Sequence, residues 1–390
     1  MMKRINKLSQ IIIIGLAVIA WSFIALEFVV ESCWVIILSS LCGYLILIGF
    51  TLKKEWIKII CFNLAAILFA LMLLEGYLWY KNYLKLVLTD KLTKKTLLYD
   101  EYDHELGYRP KRNFSSYQEK KIGDKLLYKS LISFKNHLRY TPNNNPKSDS
   151  SMLFFGCSFM LGQGLSDNQT LPFYLNSRIK SQVFNYGNHG YGPHQMLKQI
   201  ETRLENDIKN IKGKKNALYS FIPHHISRAT GKSKWDIFGP KYELINNKLV
   251  NTGPFNSNEK TFLNYLLFKV YKSYLYIKFI NGKKATYNDL LTTIAILKKS
   301  KFLLQKRKID LRILIWDDPN SISGIFHNTQ DYQNFINELV KANFTLYFVS
   351  NAIPDYQINH EKYVILNDGH PNSVANETIA KYLYLQLLKK

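Results

Sequence analysis

Apolar positions crowd into the first eighty residues of this chain and are rationed into short runs afterwards. Residues 11–30 are almost unbroken apolar sequence, residues 33–52 carry no charge, and residues 59–80 are interrupted only by Asn63 and Glu75. Each stretch has roughly the 20 residues that a helix needs to cross a hydrocarbon core of about 30 Å. The pattern predicts three transmembrane helices within residues 1–80. The first stretch is too long for the core of a secretory signal, and no small-residue cleavage site follows it, which argues against a cleaved leader.

Lysine and arginine set the expected orientation. Lys3, Arg4 and Lys7 precede the first stretch and Lys53, Lys54 and Lys58 lie between the second and third, whereas the turn at Glu31 has no basic residue. Positive charge stays inside, so the N-terminus is expected in the cytoplasm and everything after Tyr80 outside it. Trp34, Tyr77, Trp79 and Tyr80 fall near predicted helix ends, where amphipathic rings suit the headgroup region. Glu27 and Glu75 lie toward the outward ends of their stretches, where a carboxylate can snorkel to water.

Residues 81–150 are polar and tyrosine-rich, with Pro110, Pro142 and Pro146 and an asparagine patch at Asn143 to Asn145. This composition predicts a connecting segment with short strands, one over residues 125–134, packed on a larger domain. That domain spans residues 151–390. Strands are expected at 152–155, 182–186, 217–222, 311–316 and 346–349. Helices are expected at 194–208, 287–306, 331–342 and 376–388. Strand alternating with helix implies parallel pairing and right-handed crossovers, hence an α/β class, three-layer α/β/α sandwich around a parallel five-stranded sheet. Residues 230–281 break the rhythm as an insertion, with a hairpin around Asn246 and Asn247 and an aromatic-rich helix over residues 259–279.

The formal net charge of +23 changes this picture little. The lysines are scattered without an arginine-rich stripe, so no nucleic-acid partner is expected; anionic headgroups or an acidic glycan suit such a field better. Abundant Lys, Asn and Ile also fit codon bias in an AT-rich genome. Of four cysteines, Cys33, Cys42 and Cys61 fall in the apolar stretches and Cys157 abuts Ser158, a spacing that suggests neither a disulfide framework nor a thiolate metal site.

Chemistry concentrates at two places. Gly156, Cys157 and Ser158 end the first predicted strand, and Asp368, Gly369, His370 and Pro371 follow the last. A serine hydroxyl is a weak nucleophile until a base takes its proton. His370, on the same sheet edge, can be that base, and Asp368 can orient the imidazole and stabilise its charged form. Acyl chemistry further needs N–H donors for a developing oxyanion. The Ser158 N–H is one candidate, and Gly190, in the glycine-rich run after the second strand, is another. Cys157 shares the turn and would point the other way.

These blocks resemble the SGNH (GDSL-like) hydrolase superfamily from about Leu98 to the C-terminus, including the entry segment Glu105-Leu106-Gly107-Tyr108-Arg109-Pro110. The resemblance implies a flavodoxin-like fold in a membrane-anchored bacterial member, no cofactor and no metal. It matches the nucleophile to Ser158, the second-block glycine to Gly190 and the last-block histidine to His370. Cys157 replaces the usual aspartate, and Asn367 occupies the position three before the histidine where many members carry the acid, leaving Asp368 for that role. The third-block asparagine, an oxyanion donor, aligns with His224, whose neutral ring can donate one hydrogen bond.

The implied activity is extracytoplasmic hydrolysis of esters on a lipid or an envelope glycan, at the bacterial inner membrane with the catalytic domain on the periplasmic side. Two alternatives share the residues: an O-acyltransferase passing the acyl group to a polysaccharide hydroxyl, and a degenerate, non-catalytic module that binds glycan or a protein partner. A metal hydrolase would use His189, His194, His224, His225 and His370 converging at one edge, although no tight ligand spacing accompanies them. Asp317 and Asp318 are a further candidate acid pair, more simply read as loop solvation.

Overall fold

A computed structural model describes residues 33–95, 99–122, 124–233, 235–256 and 284–388. Contacts divide the chain into two units whose boundary in sequence falls between Lys91 and Leu92.

In the first unit, helix Cys33–Thr51 is followed by helix Glu55–Leu92. Among the described residues one helical stretch, Glu55–Leu78, is long and apolar enough to cross a membrane, where the sequence predicts three spans. The first predicted span lies outside the described residues. The second is a helix whose qualifying apolar part, Leu38–Thr51, is shorter than a span. Ile59, Ile67, Leu73 and Tyr77 are each more than half exposed, so these helices present apolar side chains outward, as a lipid-facing surface does. Glu75 is buried in the protein and not extended toward a headgroup layer as the sequence suggests. Glu27 lies outside the described residues.

In the second unit one sheet organises the chain. Its strands are β1 (Thr93–Lys95), β4 (Asn113–Ile122), β5 (Lys125–Lys135), β6 (Leu138–Arg139), β7 (Ser151–Gly156), β8 (Gln182–Asn185), β9 (Lys215–Phe221), β12 (Ile309–Ile315) and β13 (Thr345–Phe348). They run in the order β1-β4-β5-β6-β8-β7-β9-β12-β13. The last five in this order pair in parallel and coincide with the five strands expected from the sequence. Taken alone their order is 2-1-3-4-5, the doubly wound order in which ligands gather beyond the carboxyl ends where the winding reverses, here between β7 and β9.

The expectation of a purely parallel five-stranded sheet is nevertheless corrected. β6 joins the edge strand β8 antiparallel through Arg139 and Asn185, and β5, β4 and β1 follow in antiparallel register, making a nine-stranded mixed sheet. The connecting segment is therefore part of the sheet. Its strands are long, and their outer positions polar, so the period-two signal was weak against a background rich in lysine and tyrosine. Burying the otherwise open edge of β8 is the physical gain.

Alternation along β7 divides the core between the two faces. Leu153 and Phe155 pack with Tyr219, Phe221, Ile313 and Ile315 under helices Pro193–Thr202, Tyr287–Gln305 and Thr329–Lys341. Met152 and Phe154 pack with Leu218 and Leu314 against Leu171, Leu175, Ile379 and Leu383 of helices Leu171–Ile179 and Ser373–Leu388. Two dry faces explain why β7 and β12 read as continuous apolar runs. Each fully buried Leu, Ile or Phe contributes about 1.5–3 kcal/mol relative to exposure.

Two smaller antiparallel pairs lie apart from the sheet: β2 (Asp100–Asp103) with β3 (Gly107–Pro110), and β10 (Pro240–Ile245) with β11 (Lys248–Pro254). The latter turns at Asn246 and Asn247, both at positive φ, as a two-residue hairpin loop requires. The aromatic-rich helix expected over residues 259–279 lies outside the described residues.

Candidate active site

Ser158 begins a one-turn helix, Ser158–Leu161, directly after β7. The turn from strand to helix passes through Gly156 at φ +151°, where a Cβ would press on Met160 and Ser220 at 3.0–3.1 Å. Cys157 caps the turn and is fully buried in the core, so its thiol faces away from the sheet edge that Ser158 reaches.

His370 arrives from the other end of the chain. Residues 364–371 form a tight loop closed by the Val364–Pro371 bridge, with the Asp368 and Gly369 N–H groups both donating to Ile365 O at 3.0 Å. Asn367 at φ +60° and Gly369 at φ +81° tighten the turn enough for Asp368 to reach back to the imidazole two residues on. His370 Nε2 lies 2.9 Å from Ser158 Oγ, and Nδ1 is hydrogen-bonded to Asp368 Oδ1. With the carboxylate accepting at Nδ1, that nitrogen carries the proton and Nε2 is left to accept from the serine hydroxyl. Phe159 meets the imidazole edge-on at 5.5 Å and Trp316 meets Phe159 at 4.9 Å, fencing the ring on its apolar side.

Sequence reasoning missed a fourth member. Lys120, on β4, forms an ion pair with the second oxygen of Asp368, so that carboxylate is held at both oxygens and its side chain is almost wholly inaccessible. Burial opposes its ionisation, but the hydrogen bond and charge of His370 and the Lys120 ammonium prevail and hold the carboxyl well below the usual carboxylate range. Tyr128, opposite Lys120 on β5, turns a buried hydroxyl without a protein partner toward the same neighbourhood; burial, then the Asp368 charge, push its ionisation far upward. No motif marks Lys120. It is one of 52 lysines and arginines, separated by 248 residues from the acid it serves.

The loop after Ser158 is also tied down. Arg139 is buried, paired with Asp167, and donates to Leu161 O and Leu165 O at 3.1 Å each. Asn185 Nδ2 donates to Met160 O at 3.1 Å, while its Oδ1 accepts from Gly187 N–H at 3.0 Å. Asn188 N–H donates to Gly156 O at 3.3 Å, which joins the glycine-rich loop to the nucleophile turn. Gly190, at φ +71°, has Trp235 and Tyr108 pressed against its α-carbon, leaving no space for a side chain. Among the described residues the N–H groups of Ser158 and Gly190 donate to no protein acceptor.

His224 is not joined to the pair by any hydrogen bond among the described residues. It lies ahead of helix His225–Ala229 with part of its surface in solvent; the protein packed around the rest of the ring and then the Arg228 charge lower its proton affinity, with Asp318 opposing. Nor do the other histidines converge. His189 pairs with Asp100 at 3.1 Å, His194 with Asp236 at 2.6 Å, and His225 with the Tyr219 hydroxyl at 2.7 Å. Among the described residues no three His, Cys, Asp or Glu side chains come together as metal ligands would. Asp317 accepts from the Ser350 N–H and hydroxyl, and Asp318 caps helix Pro319–Ile325 through Ser321 N–H at 2.8 Å, so both are structural.

No family model and no curated protein matches the chain. Solved structures do. A member of the lipolytic protein G-D-S-L family from Veillonella parvula is 12% identical, with 62% of this chain and 99% of that one covered, at a TM-score of 0.35. A lipase from a goat rumen metagenome is 10% identical, covering 60% and 96% at 0.36. A carbohydrate esterase family 2 enzyme with a carbohydrate binding domain from Corynascus thermopiles is 10% identical, covering 69% and 72% at 0.35.

Proposed function

We propose that this chain is a membrane-tethered serine esterase. The observation that carries the reading is the hydrogen-bonded series Ser158 Oγ, His370 Nε2, His370 Nδ1 and Asp368, gathered beyond the carboxyl ends of the sheet. In this reading Ser158 Oγ attacks the ester carbonyl as its proton passes to Nε2. The oxyanion is met by the free N–H groups of Ser158 and Gly190. Collapse expels the alcohol, which takes the proton from Nε2. A water then repeats the sequence on the acyl-serine, releasing the carboxylic acid and restoring the hydroxyl.

Lys120 has a defined part here. By holding the outer oxygen of Asp368 it fixes the carboxylate plane and keeps the carboxyl ionised, so that the inner oxygen is aimed at His370 Nδ1.

Location follows the charge pattern: the apolar helices tether the catalytic unit, and the basic residues before and between them keep it on the outer face of the bacterial inner membrane. The resemblance to SGNH hydrolases points to acyl groups on lipids or envelope glycans as substrates.

The test uses the full-length chain in detergent micelles or nanodiscs. It should hydrolyse a short aryl ester and be labelled by a fluorophosphonate, and Ser158→Ala should abolish labelling and lower kcat by about a thousandfold or more. Turnover undiminished in Ser158→Ala would remove the serine from the chemistry.

A further inference from the structure

Beside the catalytic series lies a cleft of about 390 Å³, within the range of small-molecule sites, roughly 300–1,000 Å³. It does not open over Ser158. Its walls come from the β2–β3 hairpin and from residues 235–238, and they meet the glycine loop at Gly190, whose carbonyl accepts from Trp235 Nε1 at 3.4 Å. The cleft thus adjoins the residue whose N–H is assigned to the oxyanion.

Its lining has a particular chemistry. Tyr102, Trp235 and Phe238 are 68%, 54% and 44% exposed, an unusual amount of aromatic surface for one rim. Tyr108 backs them, stacked on the His189 ring at 5.2 Å. The polar wall supplies acceptors, the carboxyl groups of Asp100 and Glu101. Among the described residues that line the cleft there is neither lysine nor arginine, although the chain carries a net +23.

These features exclude some ligands. An anionic group, whether phosphate or uronic acid, would have to enter against the Asp100 and Glu101 carboxyls. An acyl chain needs an enclosed apolar tunnel, and this rim is open and half polar. A cation finds little free negative charge: Glu101 is taken by Arg109 at 2.9 Å, and Asp100 is held by Asn188 at 3.0 Å and His189 at 3.1 Å. Burial, eased by Asn188 and Lys111, also raises the Asp100 carboxyl to about 7. An uncharged ring that is apolar on its C–H faces and rich in hydroxyl donors at its edge matches aromatic walls with carboxyl acceptors.

We infer that this cleft binds an uncharged sugar ring, as the alcohol portion of the ester whose carbonyl reaches Ser158. The inference rests on the esterase reading for the ester, but its test does not need turnover. Saturation-transfer NMR and calorimetry on the full-length Ser158→Ala chain in nanodiscs would use neutral tetrasaccharides (gluco, galacto, manno and N-acetylglucosamine series), an oligogalacturonate and phosphocholine. At least one neutral tetrasaccharide should bind saturably, and Trp235→Ala and Tyr102→Ala should each weaken it about tenfold or more. Phe302→Ala, an exposed ring elsewhere, should leave it intact, with all variants sharing the parent's thermal unfolding midpoint. Binding of none of the neutral sugars, survival of binding in both cleft variants, or preference for the oligogalacturonate or phosphocholine would overturn the inference. Sugar binding without any ester turnover would sink the esterase reading alone, and aryl-ester turnover without sugar binding would sink the cleft alone.

Discussion

Asp368 carries two separable burdens, one of stability and one of chemistry. Because its carboxyl is held below the ordinary carboxylate range, its ionised form stabilises the fold above the unfolded value near 4, and that contribution is lost as pH falls toward the lower, folded value. Asp368→Asn should therefore lower the unfolding midpoint clearly at about pH 7, and its difference from the parent should shrink progressively as the pH is taken from about 4 down to about 2, which thermal melts across that range will read. In the proposed chemistry Lys120 is a positioning residue. Lys120→Met leaves the outer oxygen of Asp368 without its cation, so kcat for an aryl ester should fall about tenfold with KM little changed, and Lys120→Arg should restore most of it. A lysine that only stabilised the fold would lower the melting point without this loss of kcat in the folded protein. Ser158, His370 and Asp368 were legible as residue types at strand ends. Lys120 was not, because a surface-type lysine in a polar strand has no signature until the hairpin folds over the loop carrying Asp368.

At the scale of elements, the short strand β6 matters out of proportion to its two residues. Arg139 connects it to Asp167 and to the carbonyls of Leu161 and Leu165, so the edge of the antiparallel half holds the loop that follows the nucleophile. Arg139→Ala leaves a buried carboxylate without its partner and should destabilise the protein by about 3–5 kcal/mol, seen as a lower denaturation midpoint. The double replacement Arg139→Met with Asp167→Leu should recover much of that loss. The parallel strands were readable from their apolar runs, as were the helices that cover them. The predicted helix over 194–208 is interrupted at Arg203, dividing into Pro193–Thr202 and Leu204–Ile208, a break that periodicity does not disclose. The antiparallel strands were underestimated for a different reason: β4 is polar along most of its length, with Asn113, Ser115, Ser116 and Tyr117 exposed, so composition suggested a linker where hydrogen bonding made a sheet.

For the whole molecule, the proposed arrangement is a catalytic unit outside the membrane held by apolar helices. In a Cys33→Ser background, a cysteine introduced at exposed Ser323 should react with a membrane-impermeant maleimide in intact cells, whereas one at Lys53 should react only after lysis; the remaining Cys42, Cys61 and Cys157 are buried and give little background. The reverse labelling pattern would invert the topology. Net charge had little bearing on where chemistry lies: among the described residues lining the cleft beside Gly190 there is no lysine or arginine in a chain of strongly positive sum.

What can be read along one dimension is whatever repeats or punctuates locally: apolar periodicity, the turn residues around Ser158, and an acid two positions before a histidine. Those are short-range properties of φ/ψ preference and solvent partition, so the parallel strands and the candidate nucleophile, base and acid were available before any coordinates. Folding alone could decide which distant groups meet. The approach of His370 to Ser158, the pairing of Lys120 with Asp368, the dispersal of His189 and His194 into separate partnerships and the setting of the cleft against Gly190 all depend on contacts between residues far apart in the chain. Such contacts are selected by packing and by the need to satisfy buried charge, neither of which leaves a mark at a single position.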